Sequence, residues 1–185
     1  MKHEIIFAGF GGQGVLSMGM TLAYAGMLEN KEVSWMPSYG PEMRGGTANC
    51  IVIIADTLIS SPIVKRFDAV VALNQPSVDK FEDAVKPNGL LIYDSGSVIV
   101  PPTRTDITVV PVPAEDEALK LKVVKVKNMI MLGAFLGVCQ AVSTGSIMKA
   151  LEEVLPERYH HMLGVNRQAL ERGEKLVIDA VTPLV

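Results

Sequence analysis

Short, almost wholly apolar runs alternate along the chain with longer segments in which apolar residues recur at helical spacing. The apolar runs predict buried strands at residues 4–10, 32–36, 49–55, 68–74, 89–94 and 108–112. The helical spacing predicts helices at residues 15–29, 76–85, 115–121, 129–142, 147–155 and 157–172. Strands that alternate with helices are typical of a parallel sheet covered by helices. We therefore predict an α/β fold, a three-layer, Rossmann-like, doubly wound and mostly parallel sheet with a helical C-terminal third.

The C-terminal third carries signals for helix packing and helix ends. Gly133 and Gly137 lie four residues apart in an apolar segment, which favours close packing against the sheet or another helix. Ser146 is a candidate N-cap, and Gly173 is expected to close the final helix. No repeat, low-complexity tract or long linker divides the sequence, so we predict one domain over residues 1–185.

The composition mainly excludes other classes of protein. Of 185 residues, 49% are apolar and 20% charged, as expected for a globular protein with a sizeable core. The net charge of −3 offers no basic excess for a nucleic acid or an anionic membrane. Glycine and polar residues interrupt the uncharged stretches 5–28 and 128–148, so we predict neither a signal peptide nor a membrane span. Cys50 and Cys139 have no metal-ligand spacing, and their usage favours a cytoplasmic protein.

The first predicted strand leads into a glycine-rich segment, GFGGQG at residues 9–14, and then into a helix. In this context glycines let the backbone approach a phosphate, and the helix N-terminus attracts the negative charge. A dinucleotide site also needs an acidic residue about 20 positions further on. Met36, Pro37, Ser38 and Tyr39 occupy that place, which weakens the prediction of an NAD site. A turn that serves only helix–sheet packing stays open as an alternative.

The segment 37–46, PSYGPEMRGG, is too rich in proline and glycine for a regular element and predicts a structured loop. Gly45 and Gly46 leave backbone amides accessible, and the Arg44 guanidinium suits a phosphate or a carboxylate. Two hypotheses stay open: the loop binds a ligand, or Arg44 simply pairs with Glu42 or another carboxylate of the chain.

Recognisable catalytic constellations are missing from the sequence. The serines have no GxSxG context, and neither HExxH nor a P-loop lysine is present. His160 and His161 are neighbours, which point about 100° apart on a helix and cannot hold one metal from one face. We therefore predict a binding protein without catalytic residues or a metal site of its own.

Four sequence features together resemble the gamma subunit of the 2-oxoacid:ferredoxin oxidoreductases. They are GFGGQG after an IIFAG strand, the SYGPEMRGG loop, DAVVALN followed by Gln75-Pro76, and the spacing Asn166, Ala169, Gly173. The likeness covers residues 3–175, and the YGPEMRGG loop is its most specific part. The chain looks most similar to the 2-oxoglutarate type, with the pyruvate and 2-ketoisovalerate types close behind.

The resemblance implies a multi-subunit enzyme that oxidatively decarboxylates a 2-oxo acid, transfers the acyl group to coenzyme A and passes electrons to ferredoxin. It also implies alpha, beta and in some cases delta subunits, which carry the thiamine diphosphate and the iron–sulfur clusters. This chain has no GDG-type thiamine diphosphate motif and no cysteine set for a cluster. On this interpretation it is a non-catalytic subunit, inactive alone, that serves assembly and the coenzyme A cleft.

The resemblance places the candidate coenzyme A contacts in two segments at a subunit interface. The predicted binding residues are Gly9, Gly11, Gly12, Gln13 and Gly14 in the turn, with Ser38, Tyr39, Arg44, Gly45 and Gly46 in the loop. Two alternatives are a self-sufficient Rossmann-type nucleotide- or flavin-binding oxidoreductase and a purely structural subunit.

Overall fold

The computed structural model describes residues 1–39 and 46–178, and its strands and helices lie within these ranges. The strands are β1 Lys2–Phe10, β2 Glu32–Tyr39, β3 Thr47–Ala55, β4 Phe67–Ala72, β5 Val85–Asp94 and β6 Thr108–Val112. The helices are α1 Val15–Leu28, α2 Gln75–Phe81, α3 Ala114–Lys120, α4 Lys127–Val138, α5 Thr144–Val154 and α6 Leu163–Ile178. Short 3₁₀ segments occupy Glu82–Ala84, Val124–Val126 and Glu157–Met162. Each predicted strand and helix is present, and most ends differ by no more than four residues. The last helix is the exception, because it begins and ends six residues later than predicted and a 3₁₀ segment precedes it.

The strands form one sheet in the order β2-β3-β1-β4-β5-β6. Strands β1, β4, β5 and β6 pair in parallel, whereas β3 is antiparallel to both β1 and β2. The sheet is therefore mostly parallel, as predicted, with β3 as the reversed strand among those described. The carboxyl ends of the parallel strands share one edge, where ligands bind in open α/β sheets.

Helices cover both faces of the sheet. Successive side chains of a strand point to opposite faces, and buried apolar residues occupy both of them. Phe7 of β1 belongs to a core cluster with α1, α4, α5 and α6, and its ring meets Phe135 edge-on with centroids 6.0 Å apart. Ile6, the preceding residue, belongs to a second cluster with Val78 of α2 on the opposite face. This arrangement confirms the prediction of a three-layer α/β fold.

Strand β2 extends further than the sequence indicated. Residues Pro37 to Tyr39 were predicted to lie in a loop, but they continue β2, with Pro37 opposite Cys50 and Tyr39 opposite Ala48. Strand β2 is the edge of the sheet, and a proline is tolerated there because its missing N–H can fall on the unpaired side.

Two predicted helix signals also act differently in the structure. The N-cap of α5 is Ser143, whose Oγ accepts a hydrogen bond from the Ser146 backbone N–H at 3.1 Å. Gly173 does not close the last helix, which continues to Ile178. Instead, Gly173 allows α6 to approach the backbone of α4 at Ile130. Gly133 makes the reciprocal approach to α6, as its spacing predicted.

Candidate functional site

The glycine turn joins the carboxyl end of β1 to the first residue of α1. Gly12 and Gly14 have φ values of 97° and 76°, in the left-handed region that favours glycine. Gly14 is the N-cap of α1 and provides no side-chain cap, and the first turn of α1 contains no acidic residue. The first backbone N–H groups of a helix have no acceptor within the helix, so this end of α1 can receive an anion.

The side-chain amide of Gln13 holds the turn in place through three hydrogen bonds. Its Oε1 accepts hydrogen bonds from the Phe10 backbone N–H at 2.6 Å and from Asn74 Nδ2 at 3.4 Å, while its Nε2 donates to the Leu73 carbonyl at 3.4 Å. Asn74 Oδ1 also accepts from the Ser77 backbone N–H and so caps α2. These contacts connect the turn to the end of β4, because one amide bonds to both segments.

Two further contacts hold the turn on its other sides. The Gly11 backbone N–H donates to the Gly46 carbonyl at 2.8 Å, which joins the turn to the chain just before β3. Asn128 Nδ2, at the start of α4, donates to the Gly14 carbonyl at 3.4 Å. The turn therefore has a defined shape before any ligand arrives.

A groove of about 720 Å³ opens beside the turn, between α1 and strands β2 and β3. Most of its surface is carbon, and the described lining residues carry no charged side chain. The glycine turn, the first turn of α1 and the start of β3 line one end of the groove. Met20 and Trp35 line it further along α1 and β2. The described lining residues are Phe10, Gly11, Gly12, Gly14, Val15, Leu16, Ser17, Met20, Trp35, Pro37, Gly46, Thr47 and Ala48.

Trp35 is the aromatic side chain of β2 in this groove. It lies opposite Val52 in the sheet and packs against the core cluster that includes α1. Its Nε1 is buried and makes no hydrogen bond of normal geometry with the described residues, although the Cys50 thiol lies beside it. This atom lies close to Gly19 of α1 and the Cys50 thiol, whose pKa is raised to about 12 by burial. The polar edge of the indole therefore faces the core.

The predicted binding residues fall into three groups. Gly11, Gly12, Gly14 and Gly46 are brought together at one end of the groove. Gly9 and Gln13 lie beneath the turn, where a Cβ at Gly9 would overlap the Gln13 side chain.

The remaining predicted residues belong to the segment at the end of β2 and beyond it. Ser38 is exposed, and strand alternation places it on the opposite face of β2 from Pro37. Tyr39 ends β2. Arg44 and Gly45 lie outside the described residues, so the predicted contacts of this loop stay predictions.

The apolar part of the groove was not predicted from the sequence. This part is lined by Trp35, Pro37 and Met20, whereas the recognisable sequence motif contains only the glycines of the turn. Alternation along β2 could have identified Trp35 and Pro37 as neighbours on one face. Their position beside α1 follows from the sheet order, which no local pattern contains.

A buried ion pair also lies at the carboxyl edge of the sheet. Asp94 ends β5 and is fully buried beside Lys127, whose ammonium group donates to Ser97 Oγ at 2.9 Å. Both charges are thus compensated within the chain, which favours a structural role.

The described part of the chain holds neither a metal cluster nor a membrane-spanning helix. Residues 1–39 and 46–178 contain no group of three or more His, Cys, Asp or Glu side chains able to hold a metal ion. None of the helices in these ranges is long and apolar enough to cross a membrane.

The sequence profile of the pyruvate ferredoxin/flavodoxin oxidoreductase family matches residues 4–176. The chain belongs to this family. Within it, the chain is 45% identical over 133 residues to the ketoisovalerate oxidoreductase subunit VorA of Methanothermobacter thermautotrophicus. That match covers 72% of this chain but 28% of the relative, so the chain spans about a quarter of that protein.

A second relative matches over most of both lengths. The chain is 36% identical over 162 residues to the 2-oxoglutarate synthase subunit KorC of Methanocaldococcus jannaschii, which covers 85% of this chain and 86% of the relative. This similarity confirms the resemblance to gamma-type subunits of the 2-oxoacid:ferredoxin oxidoreductases.

Two solved structures of the family share the fold. The gamma subunit of a keto/oxoacid ferredoxin oxidoreductase from Geobacter sulfurreducens superposes with a TM-score of 0.83 at 30% identity, over 97% of this chain and 98% of that one. The 2-oxoglutarate:ferredoxin oxidoreductase of Magnetococcus marinus, solved with 2-oxoglutarate, coenzyme A and succinyl-CoA bound, gives a TM-score of 0.88 at 25% identity. The second match covers 98% of this chain and 32% of that one, so the same fold is part of a longer chain there.

Proposed function

We propose that this chain is the gamma subunit of a cytoplasmic 2-oxoglutarate-type 2-oxoacid:ferredoxin oxidoreductase, and that its groove forms one wall of the coenzyme A cleft. On this proposal the alpha, beta and, where present, delta subunits carry the thiamine diphosphate and iron–sulfur clusters that oxidise the 2-oxo acid and reduce ferredoxin. The gamma chain is non-catalytic and contributes binding and assembly. The relative KorC, matched over most of its length, supports the 2-oxoglutarate type.

One observation carries the coenzyme A assignment: the uncapped N-terminus of α1 opens into an apolar groove. The N-terminus of a helix is partially positive, and because Gly14 provides no side-chain cap, this end of α1 can receive phosphates. The groove beside it is lined mainly by carbon, which suits the less polar parts of a large nucleotide. The Magnetococcus marinus structure, solved with coenzyme A, makes this ligand the best candidate.

The sheet order argues against the alternative of a self-sufficient dinucleotide enzyme. In a dinucleotide-binding fold the second strand lies beside the first and carries an acidic residue to the ribose. Here β3 separates β2 from β1, and β2 ends in Pro37, Ser38 and Tyr39. We therefore expect the purified chain to bind NAD weakly in calorimetry and to show no turnover of 2-oxo acids alone.

Ser17 provides a direct test of the anion site. It lies in the first turn of α1 and lines the groove. In the assembled enzyme, Ser17→Asp places a negative charge beside the expected phosphates and should raise the KM for coenzyme A. A repulsion of roughly 1–2 kcal/mol corresponds to a rise of about five- to thirtyfold.

Although Ser17→Asp should weaken coenzyme A binding, it should not destabilise the fold. An acidic residue in the first turn of a helix interacts favourably with the helix dipole, by about 0.3–1 kcal/mol. The melting temperature of Ser17→Asp should therefore be equal to or above that of the wild type, which excludes unfolding as the cause of weaker binding. Ser17→Asn is the matched neutral control and should leave the KM close to the wild-type value. An unchanged KM for Ser17→Asp would overturn the coenzyme A assignment.

A further inference from the structure

The end of the groove away from the glycine turn has a chemistry of its own. Trp35, the single tryptophan of the chain, lies there with Met20, which is one turn of α1 further from the glycine turn than Leu16. Neither Trp35 nor Met20 offers the groove a charged group. Trp35 and Pro37 occupy alternate positions of β2, opposite Val52 and Cys50, so both face α1.

The indole presents carbon to the groove. Its Nε1 is buried near Gly19 and Cys50, on the core side of the ring. A flat ligand group that enters the groove can therefore contact the ring without displacing a hydrogen bond of the indole. Aromatic side chains placed in this way are stacking surfaces for nucleobases.

The distance along α1 fits a nucleotide. Gly14, at the anion-receptive end, and Met20, at the apolar end, are six residues apart, which is about 9 Å along a helix axis. A diphosphate at the turn would thus leave room for the attached nucleoside to lie along the groove.

We propose that Trp35 is the stacking platform for the adenine ring of coenzyme A, with the diphosphate at the glycine turn. This inference rests on the proposed function and adds the orientation of the ligand. The pantetheine arm is the less suitable occupant of the apolar end, because its two amides would lose hydrogen bonds to water there. The arm must also carry its thiol out of the groove to reach a reaction centre on a partner subunit.

The experiment compares two halves of coenzyme A as competitive inhibitors of the assembled oxidoreductase. Adenosine 3′,5′-diphosphate carries the adenine, and 4′-phosphopantetheine lacks it. For Trp35→Leu we expect the KM for coenzyme A and the inhibition constant of adenosine 3′,5′-diphosphate to rise by roughly 5- to 100-fold. The inhibition constant of 4′-phosphopantetheine and kcat at saturating coenzyme A should stay at wild-type values.

Trp35→Phe is the conservative control, since it keeps an aromatic face in the same place. It should retain most of the affinity for both adenine-bearing ligands. A merely structural role of Trp35 would instead weaken both inhibitors together, lower kcat, or show no rescue by phenylalanine, and any of these results overturns the proposal.

The outcome also separates this inference from the proposed function. If Ser17→Asp raises the KM for coenzyme A and Trp35→Leu does not affect adenosine 3′,5′-diphosphate selectively, the groove binds coenzyme A in another orientation. If neither variant changes any of these constants, the groove does not bind coenzyme A, and both assignments are wrong.

Discussion

Lys86 joins the amino-terminal parts of three neighbouring strands through its ammonium group. Its Nζ lies 2.6 Å from Glu4 Oε2 on β1 and 2.6 Å from Asp68 Oδ1 on β4, while Lys86 itself belongs to β5. Asp68 Oδ2 also accepts a hydrogen bond from the Glu4 backbone N–H at 2.8 Å. Burial raises the pKa of Glu4, but hydrogen bonds from Lys2 and Lys86 outweigh it and hold the pKa below its usual value.

We expect Lys86→Met to destabilise the chain by roughly 1–2 kcal/mol at pH 7, because two partly buried carboxylates lose a charged donor. Because the pKa of Glu4 is lower in the folded chain than in the unfolded chain, its ionised form stabilises the fold at any pH above the unfolded-state pKa. This stabilisation is lost as the pH falls through the folded-state pKa. The difference from wild type should therefore shrink as the pH falls from about 5 to about 3. Urea unfolding at both ends of this range measures it. Lys65→Met, which removes an exposed lysine, is the control and should have little effect at either pH.

At the scale of elements, the closest helix contact is between α4 and α6. A Cβ at Gly133 would overlap the Leu170 carbonyl oxygen, and one at Gly173 would overlap the Ile130 carbonyl oxygen. Both obstacles are backbone atoms, which cannot move aside as a flexible side chain can. The two glycines thus set the distance between the helices.

We expect Gly133→Ala to destabilise the chain by roughly 3 kcal/mol or more, or to prevent folding, because one added methyl forces the helices apart. Gly164, near the start of α6, has nothing within 4 Å of an added Cβ. Gly164→Ala should therefore stabilise the chain by about 0.5–1 kcal/mol through helix propensity. Thermal unfolding of the two variants compares them directly, and similar effects of both would contradict the close helix contact as the cause.

At the scale of the whole molecule, the loop between β5 and β6 presents exposed apolar side chains near the carboxyl edge of the sheet. Gln75 Oε1 accepts from the backbone N–H groups of Ile99 and Val100 at 2.9 and 2.8 Å, and Glu82 Oε1 accepts from that of Thr103 at 2.6 Å. Ile99 is nevertheless 89% exposed and Val100 61% exposed. Apolar residues held in this way are typical of a protein interface.

We expect the double variant Ile99→Ser, Val100→Ser to keep the melting temperature of the isolated chain and, on the proposed function, to weaken its assembly with the other subunits of the oxidoreductase. The reason is that both side chains are already in water in the isolated chain, so only the complex loses their burial. Leu58, 86% exposed in the loop between β3 and β4 at the opposite edge, is the matched control as Leu58→Ser. Co-purification of each variant with its partners measures the effect. Equal assembly of both variants would place the interface elsewhere.

The sequence alone determined the type and order of the elements, the glycine turn at the end of β1 and the family. These features are local, because an apolar run, a helical repeat or a glycine in a turn carries its signal within a few residues. The position of Gly133 in a close helix contact was predictable for the same reason. Arg44 and Gly45 lie outside the described residues, so their binding role stays a prediction.

Only the tertiary structure decided which elements are neighbours. Strand β3 inserts between β1 and β2 and brings Trp35 to the groove beside α1, a contact that depends on pairing across the whole sheet. Gly173 has the sequence signature of a helix end, yet it lies inside α6, because packing against α4 overrides the local preference. Long-range contacts of this kind stabilise the fold collectively, and no single segment of the sequence specifies them.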